Sequence, residues 1–500
     1  MPTFNWWVAL PTLVPAAYGL LLLVFTPALR HDRRWLWGFA VAGMLVTATV
    51  PLIMLGRIGS VVDFAATAGV AGQEMVRTDR LALWIDFICA LAGVMALLFM
   101  PRYLERARGY HPEVFPLLFF SVAGMTIMVG TDNLLMIFLG LEILSIPLYV
   151  LSALTRDRSS SVEAGFKYFI LGAFSTAFLV YGIALVLGAT GHLDLGGIVA
   201  SVRNASALAP YGKAMLLVGS GLLLVGFAFK VAAVPFHFWA PDVYTGAPTP
   251  ITGFMAAATK AAAFAVLIRL VGTSAAASPE LAQRGLSVLA VLAAATMVVG
   301  NLVALVQTRV KRLLAYSSIA HAGYLLLALM TPIAVSTSSI VFYLLSYTFM
   351  TVGAFAVVSL FQQDGEDADS ISNFKGLVQR RPGLAWTMGL FLVSLIGIPP
   401  TGGFTGKYVV FLAALDAGHG ALAALMGVTA VVGAAYYLRV IIAMFFEAPE
   451  TDVSEGITVP AGTVVVLAVA VLGTVLLGVY PSLVLDPLSR VGTGLLAAIR

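Results

Sequence analysis

Residues 214–242 read AMLLVGSGLLLVGFAFKVAAVPFHFWAPD, and this stretch decides the architecture. Its first part is apolar or small throughout and, with its flanks, supplies the ~20 residues a helix needs to cross a hydrocarbon core. A charge, Lys230, then stands inside the run, and Pro235 and Pro241 interrupt it. In lipid every backbone N–H and C=O must be satisfied, so a helix broken at membrane depth is tolerated only inside protein or beside a cavity. The stretch reads as a discontinuous transmembrane helix that carries a buried lysine.

Similar runs recur outward to both ends. They predict about fourteen helical spans, beginning near Val8, Trp35, Leu81, Val114, Asn133, Glu163, Ala214, Pro248, Leu286, Leu313, Ser338, Leu384, Gly420 and Val459. Barrel strands need only ~10 residues, and these runs are longer. The expected fold is therefore an all-α integral membrane protein, one polytopic domain over residues 1–500. A second interruption is expected at Pro399–Gly406 in the twelfth span, matching Pro235–Pro250 in the seventh.

Composition excludes several classes. Only 10% of residues are charged and 60% are hydrophobic, against about 25% charged in a soluble domain. Recurrence of the apolar runs excludes a removable signal peptide as their source. The single cysteine, Cys89, excludes an internal disulfide and an iron–sulfur cluster held by this chain alone. The net charge of +4 is spread through short loops without blocks of like charge, so no nucleic-acid partner is indicated.

Basic residues cluster after odd-numbered spans: Arg30, Arg33 and Arg34; Arg102, Arg106 and Arg108; Arg156 and Arg158; Arg309, Lys311 and Arg312; Lys375, Arg380 and Arg381. By the positive-inside rule these loops face the cytoplasm and both termini the periplasm. The loop after the second span runs against this, with Arg57, Arg77 and Arg80, and its acids Asp63, Glu74 and Asp79 do not cancel that count.

An ionisable residue near mid-bilayer costs at least ~2.5–3.5 kcal/mol, so it asks for a reason. Glu142, Lys230, Lys260 and Lys407 meet that test. The plainer reading is an ion-pair network that only fixes packing, but three lysines then face one glutamate. Burial favours neutral lysine and a nearby carboxylate favours ammonium. Moving Glu142 relative to Lys230 would thus load or release a proton; whether the two touch is left open by spacing.

Other positions are weaker. Lys167 lies one turn after Glu163, as in an ordinary helix-surface pair. His321 either relays protons or is simply hydrogen-bonded in the core. Arg269 and Arg439 lie near span ends and read as snorkelling side chains. Asp132 reads as a helix cap, Asp86 stays undecided, and Asn204-Ala205-Ser206 matches a glycosylation signal as readily by chance. Thr401 to Tyr408 looks like a phosphate loop but lacks its first glycine and its final Ser/Thr. There is no dinucleotide fingerprint, HExxH or metal-ligand cluster, so no redox centre or cofactor is expected in this chain.

The residues around these charges resemble a known family along essentially the whole chain. Phe229 to Tyr244 reads FKVAAVPFHFWAPDVY, followed by Gly246-Ala247-Pro248-Thr249-Pro250; Leu141 to Leu151 reads LEILSIPLYVL; Gly397 to Lys407 reads GIPPTGGFTGK. These stretches resemble the antiporter-like membrane subunits of proton-pumping NADH:quinone oxidoreductase, respiratory complex I, and among them subunit N. The M subunit is expected to carry glutamate where this chain has Lys407, and the L subunit a long lateral helix. Sodium/proton antiporter subunits more typically read Trp-Leu-Pro-Asp-Ala-His at Trp239 to Tyr244.

The resemblance implies two inverted five-helix units, over 110–272 and 285–447, with flanking helices in 1–109 and 448–500. It implies that Glu142 pairs with Lys230 in a first half-channel, that Lys260 connects at the centre, and that Lys407 is the terminal carrier, with Lys167 accessory. It places the chain in the lipid bilayer of a bacterial inner membrane, beside antiporter-like neighbours. Quinone, FMN and iron–sulfur clusters belong to partner subunits. The alternatives are a subunit of a multi-subunit sodium/proton antiporter and a passive structural subunit of the membrane arm.

Overall fold

In the computed structural model the apolar runs become helices in the expected order. It describes residues 6–29, 32–57, 75–107, 110–204, 208, 211–363, 365–450 and 457–499, with side chains to 491. Arg30, Asp63, Glu74, Arg108, Ala205 and Ser206 lie outside the described residues. The helices are α1 (Trp6–Leu29), α2 (Arg33–Arg57), α3 (Arg80–Arg106), α4 (Val114–Val129), α5 (Leu134–Ser152), α6 (Ser159–Thr190) and a short α7 (Leu195–Arg203). The seventh span is split into α8 (Gly212–Lys230) and α9 (Trp239–Gly246), and the eighth runs through α10 (Thr249–Phe254), a π turn (Met255–Thr259) and α11 (Lys260–Ala277).

Then come α12 (Pro279–Ala304), α13 (Val310–Ala328) and α14 (Ile333–Val358). A two-stranded hairpin, β1 (Gln362–Gln363) and β2 (Glu366–Asp367), leads to α15 (Leu377–Arg380). The twelfth span is split into α16 (Pro382–Ile396) and α17 (Gly402–Asp416), and α18 (Gly420–Phe446), α19 (Ala461–Val479) and α20 (Ser482–Ile499) follow. Among the described residues, eleven helices are long and apolar enough to cross a membrane alone. The expected spans beyond these are the shorter α4, the split α16–α17 and α13, which begins with Lys311 and Arg312.

Burial sorts the bundle into centre and rim. The apolar window of α14 is 94% buried and that of the α10–α11 helix 89%, against 33% for α1, α6 and α12. By burial α14 and α10–α11 form the core, and the rim helices, equally apolar, turn side chains to lipid. Matching ties close the segments that hold α5–α6 and α13–α14. Asn133 before α5 bridges to Asp194, and Arg309 before α13 bridges to Ser370.

Close packing between α4 and α5 depends on glycine. A Cβ at Gly124 would lie 2.3 Å from the Leu144 backbone nitrogen, and one at Gly140 2.6 Å from that of Met128. Without hydrophobic drive between helices in lipid, such backbone approach is the main source of association. Gly140→Ala is expected to cost ~1–3 kcal/mol by overpacking. The check is heat-induced loss of assembled protein on native gels, which should occur at lower temperature than in wild type.

Candidate functional site

The first break is built by local geometry. After Lys230 the chain leaves α8 through Ala232, at φ +58°, passes Pro235 and restarts at Trp239, whose indole Nε1 donates to the Phe229 carbonyl at 2.9 Å. Lys230 is buried at this helix C-terminus, where the macrodipole favours a cation. Its Nζ donates to Ser145 Oγ on α5 at 2.7 Å, and the rings of Tyr149 and Tyr168 lie 5.7 and 5.6 Å away.

Glu142 lies one turn before Ser145 on the same helix. It is half-buried, and Oε1 accepts from Thr176 Oγ1 at 2.8 Å. Glu142 and Lys230 interact through space, but among the described residues no ion pair joins them. Ser145, on the same helix as Glu142, is the hydrogen-bond acceptor of the Lys230 ammonium.

Lys260 begins α11 directly after the π turn, 2% exposed, and its Nζ donates to both the carbonyl and the hydroxyl of Ser318 on α13. Ser318, His321 and Tyr324 are three residues apart, so they share one face of that helix. His321 Nδ1 is 2.6 Å from the Tyr343 hydroxyl and Nε2 3.3 Å from that of Tyr437. Tyr437 in turn contacts Ser317. Lys407 Nζ lies 5.3 Å from the Tyr324 ring, and both Lys260 and Lys407 are within Coulombic reach of His321.

At the second break Lys407 reaches back over the end of α16, donating to the carbonyls of Leu395 at 2.7 Å and Ile396 at 2.9 Å. The last four carbonyls of a helix lack intrahelical partners, so the ammonium satisfies two of them. Gly397 makes room: it sits at φ +92°, and a Cβ there would be 3.0 Å from Lys407 Cδ. Lys230, Lys260 and Lys407 thus stand where a helical ladder is interrupted, at the end of α8, at the π turn and over the end of α16. At Lys407 the interruption itself supplies the acceptors, whereas Lys230 and Lys260 take theirs from Ser145 and Ser318 on neighbouring helices.

The other predicted residues fall beside this axis. Lys167 pairs with Glu163 at 2.6 Å, as read from spacing, and also with Asp242 on α9 at 2.7 Å, whose other oxygen takes Arg312 of α13 at 2.7 Å. This chain of charges ties α6 and α9 to α13. Arg269 does not snorkel. Arg269 is fully buried, 2.8 Å from Asp79 and 3.1 Å from Asp132, because those carboxylates meet it within the bundle. Arg439 donates to the Leu305 carbonyl at 2.8 Å beyond the end of α12. Asp132 is an ion-pair partner, and the cap of α5 is Asn133, which accepts from Leu135 N at 2.9 Å.

Sequence reading missed a second buried cluster. Lys311, counted as a topology signal, is wholly buried, and its Nζ donates to Asp367 Oδ2 at 2.7 Å and to the Ala247 carbonyl at 2.9 Å. Tyr103 donates to Asp367 Oδ1 at 2.9 Å, and Arg158 lies 3.8 Å from the same oxygen. The aspartate comes from the polar stretch after α14, which folds back over the bundle; only the unusual length of that stretch hinted at it.

Residues 131–433 match the sequence family described as NADH:quinone oxidoreductase/Mrp antiporter, TM. That segment holds Glu142, Lys230, Lys260, His321 and Lys407. The chain is 40% identical over 492 residues to NADH-quinone oxidoreductase subunit N of Trichlorobacter lovleyi, covering 97% of this chain and 96% of the relative. The chain belongs to the subunit N branch of this family. A relative of the same designation in Salinibacter ruber is 42% identical over 497 residues, covering 94% and 95% of the two chains. A chain of respiratory complex I from Thermus thermophilus with bound aureothin superposes with a TM-score of 0.78 at 35% identity, over 95% of this chain and 98% of that one. Family membership therefore extends over the flanking helices as well as the matched segment.

Proposed function

We propose that this chain is the proton-translocating membrane subunit of an NADH:quinone oxidoreductase, and that Glu142, Lys230, Lys260, His321 and Lys407 carry the protons. The observation that carries the reading is the line of three buried lysines at helix interruptions, with Ser318, His321 and Tyr324 of α13 spanning from the second lysine to the third. Hydroxyls and an imidazole can accept and donate along such a line, and a lysine can hold or release the travelling proton.

Glu142 acts as the modulator. When it approaches Lys230 the ammonium is favoured, and when it withdraws Ser145 alone remains and the proton moves on. Lys260 receives it at the centre, His321 passes it between tyrosine hydroxyls, and Lys407 is the last carrier. Lys167 is accessory, holding Asp242 and hence α9 in place. Matching breaks and matching bridges support the division into repeats over 110–272 and 285–447.

Driving energy comes from quinone reduction in partner subunits, which hold the FMN and iron–sulfur clusters, and reaches this chain through antiporter-like neighbours. The complex sits in the bacterial inner membrane with both termini of this chain in the periplasm, following the distribution of arginine and lysine in the loops.

The test is NADH-driven proton uptake by inverted membrane vesicles carrying Lys230→Ala, with assembly checked on native gels and electron entry by an artificial-acceptor assay. Uptake is expected to fall about a hundredfold, the low end for loss of a proton-transfer group, while assembly and acceptor reduction persist. Unchanged uptake in assembled complex would leave the buried lysines as architecture. The antiporter alternative predicts instead sodium-coupled proton flux from the isolated protein in vesicles without any electron donor.

A further inference from the structure

α3 lies outside the segment matched to the family, and the proton line above uses none of its residues. Yet it carries Asp86, which is 4% exposed and whose Oδ1 has no hydrogen-bond partner among the described residues. An orphan carboxylate away from water costs several kcal/mol, which a bound proton relieves. A residue kept only for packing would be better served by an apolar side chain of similar size.

Its position gives the carboxyl a use. α3 and α11 run antiparallel, pinned at one level by the Asp79–Arg269 pair at 2.8 Å and at another by Cys89 Sγ, 3.5 Å from the Ala258 carbonyl in the π turn. Asp86 lies between the two pins, roughly 10 Å along the helix from Asp79 and roughly 5 Å from Cys89. Ala258 is two residues before Lys260, so Asp86 stands between the central lysine and the end of the bundle where α3 begins and α11 ends. Asp79 and Arg269 are within its Coulombic reach. At that end the side chains of Asp79 and Asp132 are 20% and 25% exposed. α20, with Asp486 and Arg490, packs on the same helix.

We propose that Asp86 is a proton-binding station on a branch joining Lys260 to the membrane face at which α3 begins, with the Asp79–Arg269–Asp132 cluster at its mouth. An N–H bond of the Lys260 ammonium breaks as an O–H bond forms at Asp86, relayed by water, and the proton leaves to solvent past Asp79 and Asp132. Loading from that face is the same sequence reversed. The π turn beside Cys89 is the kind of helix irregularity that recurs at functional sites.

This inference rests on Lys260 being a proton carrier. The test uses the assembled complex with Asp86→Asn and Asp86→Glu in inverted vesicles, and infrared difference spectra of the purified complex during quinone reduction. Asp86→Asn is expected to assemble, keep artificial-acceptor activity and lose most of its quinone-linked proton uptake. Asp86→Glu restores most of it, and a protonated-carboxyl band in the wild type shifts in that variant. Wild-type uptake in Asp86→Asn overturns the proposal. If Asp86→Asn does not assemble, the spectra of wild type and Asp86→Glu decide: a carboxyl band that differs between them supports it, and no such band overturns it. Normal uptake in Lys260→Ala would sink the proton-line reading itself, whereas a defective Lys260→Ala beside a normal Asp86→Asn sinks only the branch.

Discussion

Asp367→Ala is expected to cost ~3–5 kcal/mol, the usual penalty for leaving a buried charge without its partner. The aspartate is the one carboxylate among the described residues that bonds to both Lys311 and Tyr103, and Arg158 stands beside it. Removing it strands a lysine with no exposed surface, left only with the Ala247 carbonyl. The result should be seen as heat-induced loss of assembled complex at much lower temperature than in wild type. Lys311→Met in the same background should recover most of the loss, since an apolar pair is tolerated where half an ion pair is not. Equal stability of the single and double variants would mean that the pair is not the source of the effect.

The same cluster gives a pH dependence of definite sign. Burial alone would raise the Asp367 carboxyl, but Lys311 and Arg158, with the Tyr103 hydrogen bond, outweigh it and hold it below its ordinary 3.8. A carboxyl depressed in the folded state adds stability that is fully present above its unfolded value and is lost as pH falls through its folded one. The difference between wild type and Asp367→Ala is therefore expected to be constant near neutral pH and to shrink only in acid below the ordinary carboxylate range.

How far the sequence reached follows from where charges sit along a span. Lys230, Lys260 and Lys407 stand within long apolar runs, so depth alone exposed them, and Pro235 and Pro399 marked the breaks beside two of them. Lys311 and Arg269 lie near span ends, where snorkelling and topology explain a charge equally well. What buries them is tertiary: the β1–β2 segment folding over α13, and Asp79 with Asp132 closing on α11. Ser145 illustrates a further limit. It is a common residue one turn from Glu142, and only the tertiary fold, which brings the end of α8 to α5, makes it the partner of Lys230. The π turn before Lys260 left no mark in Met255-Ala256-Ala257-Ala258-Thr259, which is as helix-compatible as its neighbours.

Lys260 is where the two explanations of the buried lysines part most sharply. Its ammonium holds the carbonyl and hydroxyl of Ser318, and from there the α13 face leads to His321 and Tyr324. Lys260→Ala is expected to lower quinone-linked proton uptake about a hundredfold, since among the described residues no hydrogen bond other than those of Lys260 joins α11 to α13. Lys260→Arg separates charge from proton transfer. A guanidinium keeps a positive charge and can still donate to Ser318, but it does not give up its proton at any physiological pH. If Lys260 is a carrier, arginine should pump no better than alanine while assembling better than it. If the lysine only fixes packing through its charge, arginine should restore uptake in proportion to assembly. Measuring proton uptake per assembled complex, with NADH-to-artificial-acceptor activity as the internal count, distinguishes these two outcomes.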